Sequence, residues 1–318
     1  MNCSELKQRS LQVGVALLLG LTSVAVTAQE KYPSRPIEFI VPWGPGGGAD
    51  QVARKVAPAI EKELKVSLPV INVPGATGQS GLNKMLTSPA DGYTISIMTG
   101  DTFGLLTDAS TKWKLDDIVP AAIMIRQPSA FYTAENSALK TWADVEREAK
   151  THPLKVAITG FGSPDDMTVQ YFVRKGLKLV SVPFAKPAER YTAILGGHAD
   201  LLYEQLGDVK SFLEGKQMRP VLVFANERFP LYKQVPVGKE LGHEIIINQF
   251  RAVMMKAGTD PSRVKVISDG LAKFAVSDDY KAYLNSQYAD ETSFVPAAGA
   301  LAFLKHELEA MRKYAPKK

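Results

Sequence analysis

The first third of the chain alternates between two hydrophobic periods. Residues 37–43 form a nearly continuous apolar run of strand length, as expected of a strand that is buried on both faces. After Asp50, apolar side chains recur every three or four positions, which is the spacing of one buried helix face. Further strands are predicted at residues 68–73 and 93–99, with a short helix at 80–86 between them. This order predicts a parallel sheet with right-handed crossovers.

The same alternation continues to the C-terminus. Further strands are predicted at residues 119–127, 130–133, 155–159, 179–183, 199–203, 221–224 and 250–256. Helices are predicted at residues 141–150, 166–175, 188–195, 208–214, 260–275, 278–286 and 300–314. The pattern is that of an α/β protein. Because no low-complexity linker interrupts it, we expect two domains that are joined by crossing strands rather than by a tether.

The N-terminus carries the pattern of an export signal. Lys7 and Arg9 precede an apolar run at residues 11–26, and small residues follow up to Ala28. The run is shorter than the ~20 residues that span a bilayer. We therefore predict a cleavable signal peptide at residues 1–28 and a periplasmic protein, the alternative being an uncut membrane anchor.

Composition narrows the function classes. The 318 residues are 45% hydrophobic and 22% charged with a net charge of +5, as in a globular protein of about two domains. No basic stripe supports nucleic-acid binding. Cys3 is the only cysteine and lies in the signal, so the remaining chain has no disulfide or thiolate zinc site. The four histidines show no metal-ligand spacing, and neither a metal nor a cofactor is predicted.

Two glycine-rich loops stand where parallel sheets bind ligands. Residues 44–48 follow the first predicted strand, and residues 160–164 follow a strand of the second half. Backbone N–H groups at a helix start bind anions such as carboxylates, and glycine lets the backbone come close. One such loop in each half suggests that the two halves bind a small acid between them.

Three competing interpretations are weaker. The first loop matches the alanine-ended form of the dinucleotide-binding fingerprint. However, Asn72 stands at the position where the dinucleotide-binding fold has an acidic residue. Lys55 is not at P-loop spacing. Ser163 is not in the Gly-x-Ser-x-Gly elbow of hydrolases. A secreted α/β enzyme, such as a hydrolase, remains the alternative to a binding protein.

Specific motifs resemble the substrate-binding receptors of tripartite tricarboxylate transporters, the Bug family. In the first half these are YPSRPI at 32–37, VPWGPGGGAD at 41–50, NVPGATG at 72–78 and ADGYT at 90–94. In the second half they are GFGS at 160–163, VPF at 182–184, LGGHAD at 195–200 and GTDP at 258–261. The resemblance covers essentially the whole chain after the signal.

The resemblance implies a bilobed periplasmic-binding-protein fold whose two α/β domains, with crossing hinge strands, close on a small organic acid. Domain 1 is expected at residues 31–125 plus 249–318, and domain 2 at 126–248. It also implies no catalysis, a monomer, and delivery of the ligand to the membrane permease subunits of a tripartite transporter. By position, the ligand-binding residues implied are Trp43, Gly44, Gly46, Gly47, Gly48, Ala49, Asp50, Gly78, Gln79, Thr102, Phe161, Gly162, Ser163, Asp166 and Phe184.

The second loop departs from the family pattern. Many members have Ser-x-x-His-Leu there, whereas Ser163 is followed here by Pro164, Asp165, Asp166 and Met167. Two acids near an anion site would repel a second carboxylate, unless they face solvent or meet an amino, hydroxyl or cationic group.

Overall fold

The structure is a computed structural model that describes residues 31–289 and 291–315. The chain divides into two units, residues up to Ser34 and residues from Arg35 onward. The strands and helices given below belong to the second unit. The predicted signal peptide, residues 1–28, lies outside the described residues.

Strands and helices alternate along the second unit. The strands are β1 (Glu38–Val41), β2 (Val70–Asn72), β3 (Thr94–Thr99), β4 (Ile118–Gln127), β5 (Ser129–Ala134), β6 (Leu154–Ile158), β7 (Leu179–Pro183), β8 (Leu201–Gln205), β9 (Met218–Phe224), β10 (Gln249–Lys256) and β11 (Val295–Pro296). The helices are α1 (Gly48–Leu64), α2 (Gln79–Thr87), α3 (Gly100–Gly104), α4 (Trp142–Thr151), α5 (Pro164–Arg174), α6 (Pro187–Leu195), α7 (Lys210–Glu214), α8 (Pro261–Ala275), α9 (Asp278–Ser286) and α10 (Ala297–Tyr314).

The strands form two sheets. The first has the order β11-β4-β10-β3-β1-β2, and the second has the order β7-β6-β8-β5-β9. β1 is parallel to β2 and β3, which confirms the parallel pairing predicted for the first three strands. β10 is antiparallel to β3 and β4. We call the first sheet with its helices the first lobe, and the second sheet with helices α4 to α7 the second lobe.

The chain passes from the first sheet to the second between β4 and β5, and returns between β9 and β10. The first passage is the single residue Pro128 between β4 and β5, and the second comprises residues 225–248 between β9 and β10. The predicted domain limits, residues 31–125 plus 249–318 and 126–248, are a statement about which segments move together and stay a prediction.

Local signals explain most element boundaries. The Thr141 hydroxyl accepts the Asp144 N–H at 3.2 Å and the Asp144 carboxylate accepts the Thr141 N–H at 3.0 Å, which forms a capping box at the start of α4. α1 begins at Gly48, before the predicted Asp50, and continues through the exposed Pro58 to Leu64. The predictions missed α3 and β11, which are too short for a period to appear.

A cluster of aromatic side chains fills the core of the second lobe. The ring of Phe131, on β5, stacks on Trp142 at 5.8 Å between centroids and meets Phe224 edge-on at 5.1 Å. Phe172 of α5 and Tyr203 of β8 each lie 5.8 Å from the same ring. This cluster packs two helices, α4 and α5, against the sheet. No helix among residues 31–289 and 291–315 is long and apolar enough to cross a membrane.

We expect Phe131→Ala to lower the free energy of unfolding by about 3–5 kcal/mol, because it removes a fully buried ring and leaves a cavity. Urea unfolding followed by tryptophan fluorescence measures this. Phe161→Ala is the matched control, since that ring is 59% exposed and its loss should change stability by about 0.5 kcal/mol or less. Equal effects of the two variants would contradict the assignment of Phe131 to the core.

Candidate functional site

The two predicted glycine loops are closed in the same way, one in each lobe. The Gly46 N–H donates to Asp50 Oδ2 at 3.0 Å, and the Gly162 N–H donates to Asp166 Oδ2 at 3.0 Å. Both glycines have a positive φ, +86° and +76°, which side chains disfavour. In each loop the acid lies in the first turn of the following helix, and it fixes the bend of the loop before it.

The two loop-closing acids are held by their own lobes. Asp50 accepts hydrogen bonds from Arg54 at 2.9 Å and from Asn72 at 2.9 Å. Burial opposes its charge, but the hydrogen bonds from Arg54 and Gly46 outweigh this and lower the pKa of Asp50. Asp166 accepts a hydrogen bond from the Ser181 hydroxyl at 2.7 Å. Both carboxylates therefore serve the loops, and neither residue lines the cavity between the lobes described below.

Ser163 caps α5. Its hydroxyl donates to the Gly160 carbonyl at 2.7 Å and accepts the Asp166 N–H at 3.3 Å. The residue is fully buried. Its polar atoms are thus used by the loop and the helix start, which gives no support to a role as a nucleophile.

A narrow cavity of about 30 Å³ separates the first loop from the second lobe. The residues that line it come from both lobes: Trp43, Gly47, Gly48, Ala49, Thr99, Asp101, Thr159, Pro187, Arg190, Glu204, Gln205, Asp208 and Arg251. So small a space between residues of both lobes means that the two walls lie close together. The lobes are therefore closed on each other in this conformation.

Direct bonds hold the closed cleft. Arg251, on β10 of the first lobe, forms an ion pair with Asp208, which follows β8 of the second lobe. The Arg251 guanidinium also donates to Gln205 Oε1 at 2.6 Å. Near the loops, the Thr77 hydroxyl donates to the Phe161 carbonyl at 3.4 Å. Each contact joins one lobe to the other.

The charges in the cavity wall are buried and paired. Arg190 and Glu204 form an ion pair within the second lobe, and the Tyr191 hydroxyl donates to Glu204 at 3.1 Å. Burial opposes the charge of Arg190, but Glu204 outweighs it and raises the pKa of Arg190. Burial raises the pKa of Asp208 to about 7, although Arg251 lowers it. The wall thus keeps two guanidinium groups beside three carboxyl groups, those of Asp101, Glu204 and Asp208.

The first loop needs glycine for close approach to the second lobe. A Cβ on Gly48 would lie 2.3 Å from Arg251 Nη2 and 2.4 Å from Asp208 Oδ2. A Cβ on Gly47 would lie 2.5 Å from Pro187 Cγ. Gly47 itself has an ordinary φ of −83°, so space and not backbone strain excludes a side chain there.

A second pair of acids joins the lobes behind this wall. The Thr159 hydroxyl lies 3.1 Å from Asp101 Oδ1, in the first lobe, and 2.8 Å from Asp165 Oδ2, in the second. Gln249 Nε2 donates to Asp101 at 2.7 Å. One hydroxyl proton serves only one of the two carboxylates, so the other contact is a hydrogen bond only if a carboxyl carries a proton. Burial raises the pKa of Asp101, and burial together with the charge of Asp101 raises that of Asp165.

The structure brings some of the predicted residues together and leaves others apart. Trp43, Gly47, Gly48 and Ala49 line the cavity, and the Trp43 indole N–H donates to Thr99 at 3.1 Å. Thr102 is buried, with its hydroxyl 3.4 Å from that of Thr99.

The remaining predicted residues lie around these. Gly44 lies beside Lys186, Gly78 lies beside Thr102, and Gln79 begins α2 half-buried. Phe161 is exposed. Phe184 is half-buried, and its carbonyl accepts from Arg190 Nη1 at 3.1 Å.

Comparison with known proteins identifies the family. A family model described as the tripartite tricarboxylate transporter family receptor matches residues 52–297. The chain belongs to this family. BugT of Bordetella pertussis is 27% identical to this receptor over 264 residues, which are 80% of this chain and 81% of BugT.

Solved structures show the same fold. MatC from Rhodopseudomonas palustris, solved with bound malate, has a TM-score of 0.82 at 19% identity, over 89% of this receptor and 99% of MatC. An R. palustris protein solved with adipate has a TM-score of 0.78 at 21% identity, over 90% of this receptor and all (100%) of that protein. The receptor thus has the predicted bilobed, α/β periplasmic-binding-protein fold.

Sequence reasoning missed the charged residues of the receptor's cleft, namely Asp101, Arg190, Glu204, Asp208 and Arg251. One signal was available: Arg251 lies between Phe250 and Ala252 in a buried strand, and a charge in a buried strand needs a partner. Nothing local marks Asp208 as that partner.

Larger cavities lie away from the glycine loops. One of about 510 Å³ lies beside Trp142 and Tyr232 in the second lobe, and one of about 740 Å³ lies between α1 and α8. Neither has a glycine loop in its wall. No group of three His, Cys, Asp or Glu side chains in the described part of the receptor is placed to hold a metal ion.

We expect the contribution of Asp101 to the stability of the receptor to fall as pH rises. A carboxyl group with a higher pKa in the folded state binds its proton more tightly when folded. Its contribution is full below the usual carboxyl pKa of 3.8 and is lost as pH rises through the raised pKa. Between about pH 5 and 8, Asp101→Asn should lose less unfolding free energy than the wild type, because the amide mimics the protonated acid.

Urea unfolding at both pH values checks this. Asp269→Asn is the control, since Asp269 is exposed and pairs with Lys265 at 2.7 Å, and it should keep the wild-type loss. If Asp101→Asn loses as much stability as the wild type, no proton is held between Asp101 and Asp165.

Proposed function

We propose that this protein is a periplasmic receptor that captures a small organic acid, through a carboxylate, in the cleft between its lobes. It then delivers the acid to the membrane permease subunits of a tripartite transporter. It acts as a monomer, and needs neither cofactor nor catalysis. The cleavable signal peptide predicted at residues 1–28 accounts for its export.

One observation carries this proposal: the first turn of α1 lies in the wall of the cavity, facing the second lobe. The first N–H groups of a helix have no partner within it. Gly47, at the N-cap, has no side chain that could accept from them. These N–H groups and the positive end of the helix dipole favour a carboxylate at this place.

Cations from both lobes also line the cavity. Arg190 and Arg251 line the cavity, and their side chains are only 4% and 6% exposed. A guanidinium binds a carboxylate through two parallel N–H groups, and burial strengthens that interaction. A small acid held between the start of α1 and these two side chains would contact both lobes.

The comparisons support this ligand class. MatC and the R. palustris protein are solved with malate and with adipate, which are both dicarboxylates. The family is described as the receptor of tripartite tricarboxylate transporters, which supports delivery to a permease. An enzyme remains the second candidate, but the hydroxyl of Ser163 is used in capping α5.

We expect Gly48→Ala to weaken binding of any acid that the wild type binds. The added methyl group would meet Arg251 and Asp208, so the lobes could not close fully. Such overpacking costs about 1–3 kcal/mol, which corresponds to about five- to 150-fold in affinity. Calorimetric titration with malate, adipate and related acids measures it, and thermal melting shows whether each variant is folded.

Gly270→Ala is the matched control, because its added methyl would face Ile60 in the contact between α8 and α1, away from the cleft. It should keep wild-type affinity. Wild-type affinity in folded Gly48→Ala would mean that closure on the first loop does not contribute to binding.

We also expect a bound acid to make the protein more compact. A ligand that contacts both lobes favours the closed state by its differential affinity for it. The segments expected to move as one body are residues 31–125 plus 249–318 and residues 126–248. Small-angle scattering should give a smaller radius of gyration with saturating acid, and an unchanged profile at proven saturation would argue against closure.

A further inference from the structure

Two polar atoms in the cavity wall have no hydrogen-bond partner in the described part of the chain. They are Nε of Arg190, a donor, and Oδ1 of Asp208, an acceptor. The two side chains are 4% and 2% exposed, and both residues line the cavity. Buried polar groups are normally paired, so a pair of unsatisfied atoms in one cavity marks where a ligand supplies the missing partners. The missing partners are one acceptor and one donor.

The charges of the cavity wall also favour a ligand that carries a positive group. Asp101, Glu204 and Asp208 oppose only two guanidinium groups in the cavity, and Asp165 lies directly behind Asp101. Asp50 and Asp166 are hydrogen-bonded within their own loops. They bring no positive charge to the cavity. A ligand that brings only carboxylates adds further negative charge beside these carboxyl groups, in a buried setting where repulsion is strong.

The unpaired acceptor, Asp208 Oδ1, lies next to the start of α1, where the carboxylate of a ligand is proposed to bind. A Cβ on Gly48, the first residue of α1, would lie 2.5 Å from Asp208 Oδ1. A carboxylate at the start of α1 therefore has Asp208 as its neighbour. The substituent on the carbon next to that carboxylate is the part of a ligand that reaches Asp208.

We propose that the ligand is an amino acid, whose carboxylate is held by the start of α1 and the Arg190 Nε–H and whose ammonium group donates to Asp208 Oδ1. This proposal rests on the proposed function and names the class of acid that the cleft selects. Asp208 is then a specificity-determining residue. It strengthens the binding of a ligand with an ammonium group and weakens the binding of a dicarboxylate without one. The cleft widens to admit the ligand, since the closed cavity has a volume of only about 30 Å³.

The test uses acids of equal carbon chain that differ in one substituent. Succinate, malate and aspartate carry hydrogen, hydroxyl and ammonium at the same carbon, and glutarate with glutamate and adipate with 2-aminoadipate extend the series. Calorimetric titration of the wild type at about pH 8 keeps Asp208 ionised, because its pKa is about 7. In at least one chain length, the amino acid should bind about tenfold or more tightly than the unsubstituted acid, with malate between succinate and aspartate.

Asp208→Asn then tests the residue. The variant keeps the shape but loses the charge, so the preference for the amino acid over its unsubstituted partner should fall by about tenfold or more. Asp269→Asn, an exposed change of the same kind, should keep the wild-type preference. The wild-type series decides the ligand class even if Asp208→Asn does not fold.

Three results would overturn the proposal. If unsubstituted acids bind as tightly as amino acids, the cleft does not select an ammonium group. If Asp208→Asn tightens the binding of every acid, Asp208 competes with the ligand's carboxylate instead of binding its ammonium group. If no acid of either kind binds to the folded wild type, the proposed function fails, and this proposal fails with it.

Discussion

The burial of charge between the two lobes is the constraint on which the cleft depends. A charged group that leaves water needs a partner of opposite charge or a full set of hydrogen bonds. Arg251 meets Asp208 across the cleft, and Arg190 meets Glu204 within the second lobe. Asp101 and Asp165 are both acids, and both lie within hydrogen-bond distance of the Thr159 hydroxyl. In the closed conformation Arg190 and Arg251 each have a carboxylate partner, whereas Oδ1 of Asp208 has no hydrogen-bond partner in the described part of the chain.

The two glycine loops are held in shape in the same way as each other. Each loop must turn sharply from a strand into a helix, and each is fixed by an acid of the following helix, Asp50 or Asp166. These acids accept the hydrogen bonds of the loop glycines. The shape of each loop therefore does not depend on a ligand. In the second loop Ser163 also caps its helix. In the first, Gly47 leaves the helix start without a side-chain cap. The two loops thus share a shape but differ in what they leave free for binding.

Local signals in the sequence were sufficient for most of the fold. Apolar periods predicted the strands and helices of both lobes, and the pairing Thr141 with Asp144 predicted where α4 begins. The family motifs indicated the bilobed architecture and placed Gly47 and Gly48 in the cleft. These features depend on neighbours a few positions apart, which a sequence shows directly. The role of Asp166 was not visible in this way, because the same acid suits a ligand and a loop equally well.

The charged lining of the cleft was decided only by the tertiary structure. Asp208 and Arg251 are 43 positions apart, and Asp101 and Thr159 are 58 apart. Such pairs form where the two lobes meet, and no local period in the sequence shows which acid will face which base. The sequence by itself determined an α/β protein with two glycine loops that suit a carboxylate. Which side chains those loops face, and hence which acid the cleft prefers, depends on long-range electrostatic pairing in a closed, water-poor space.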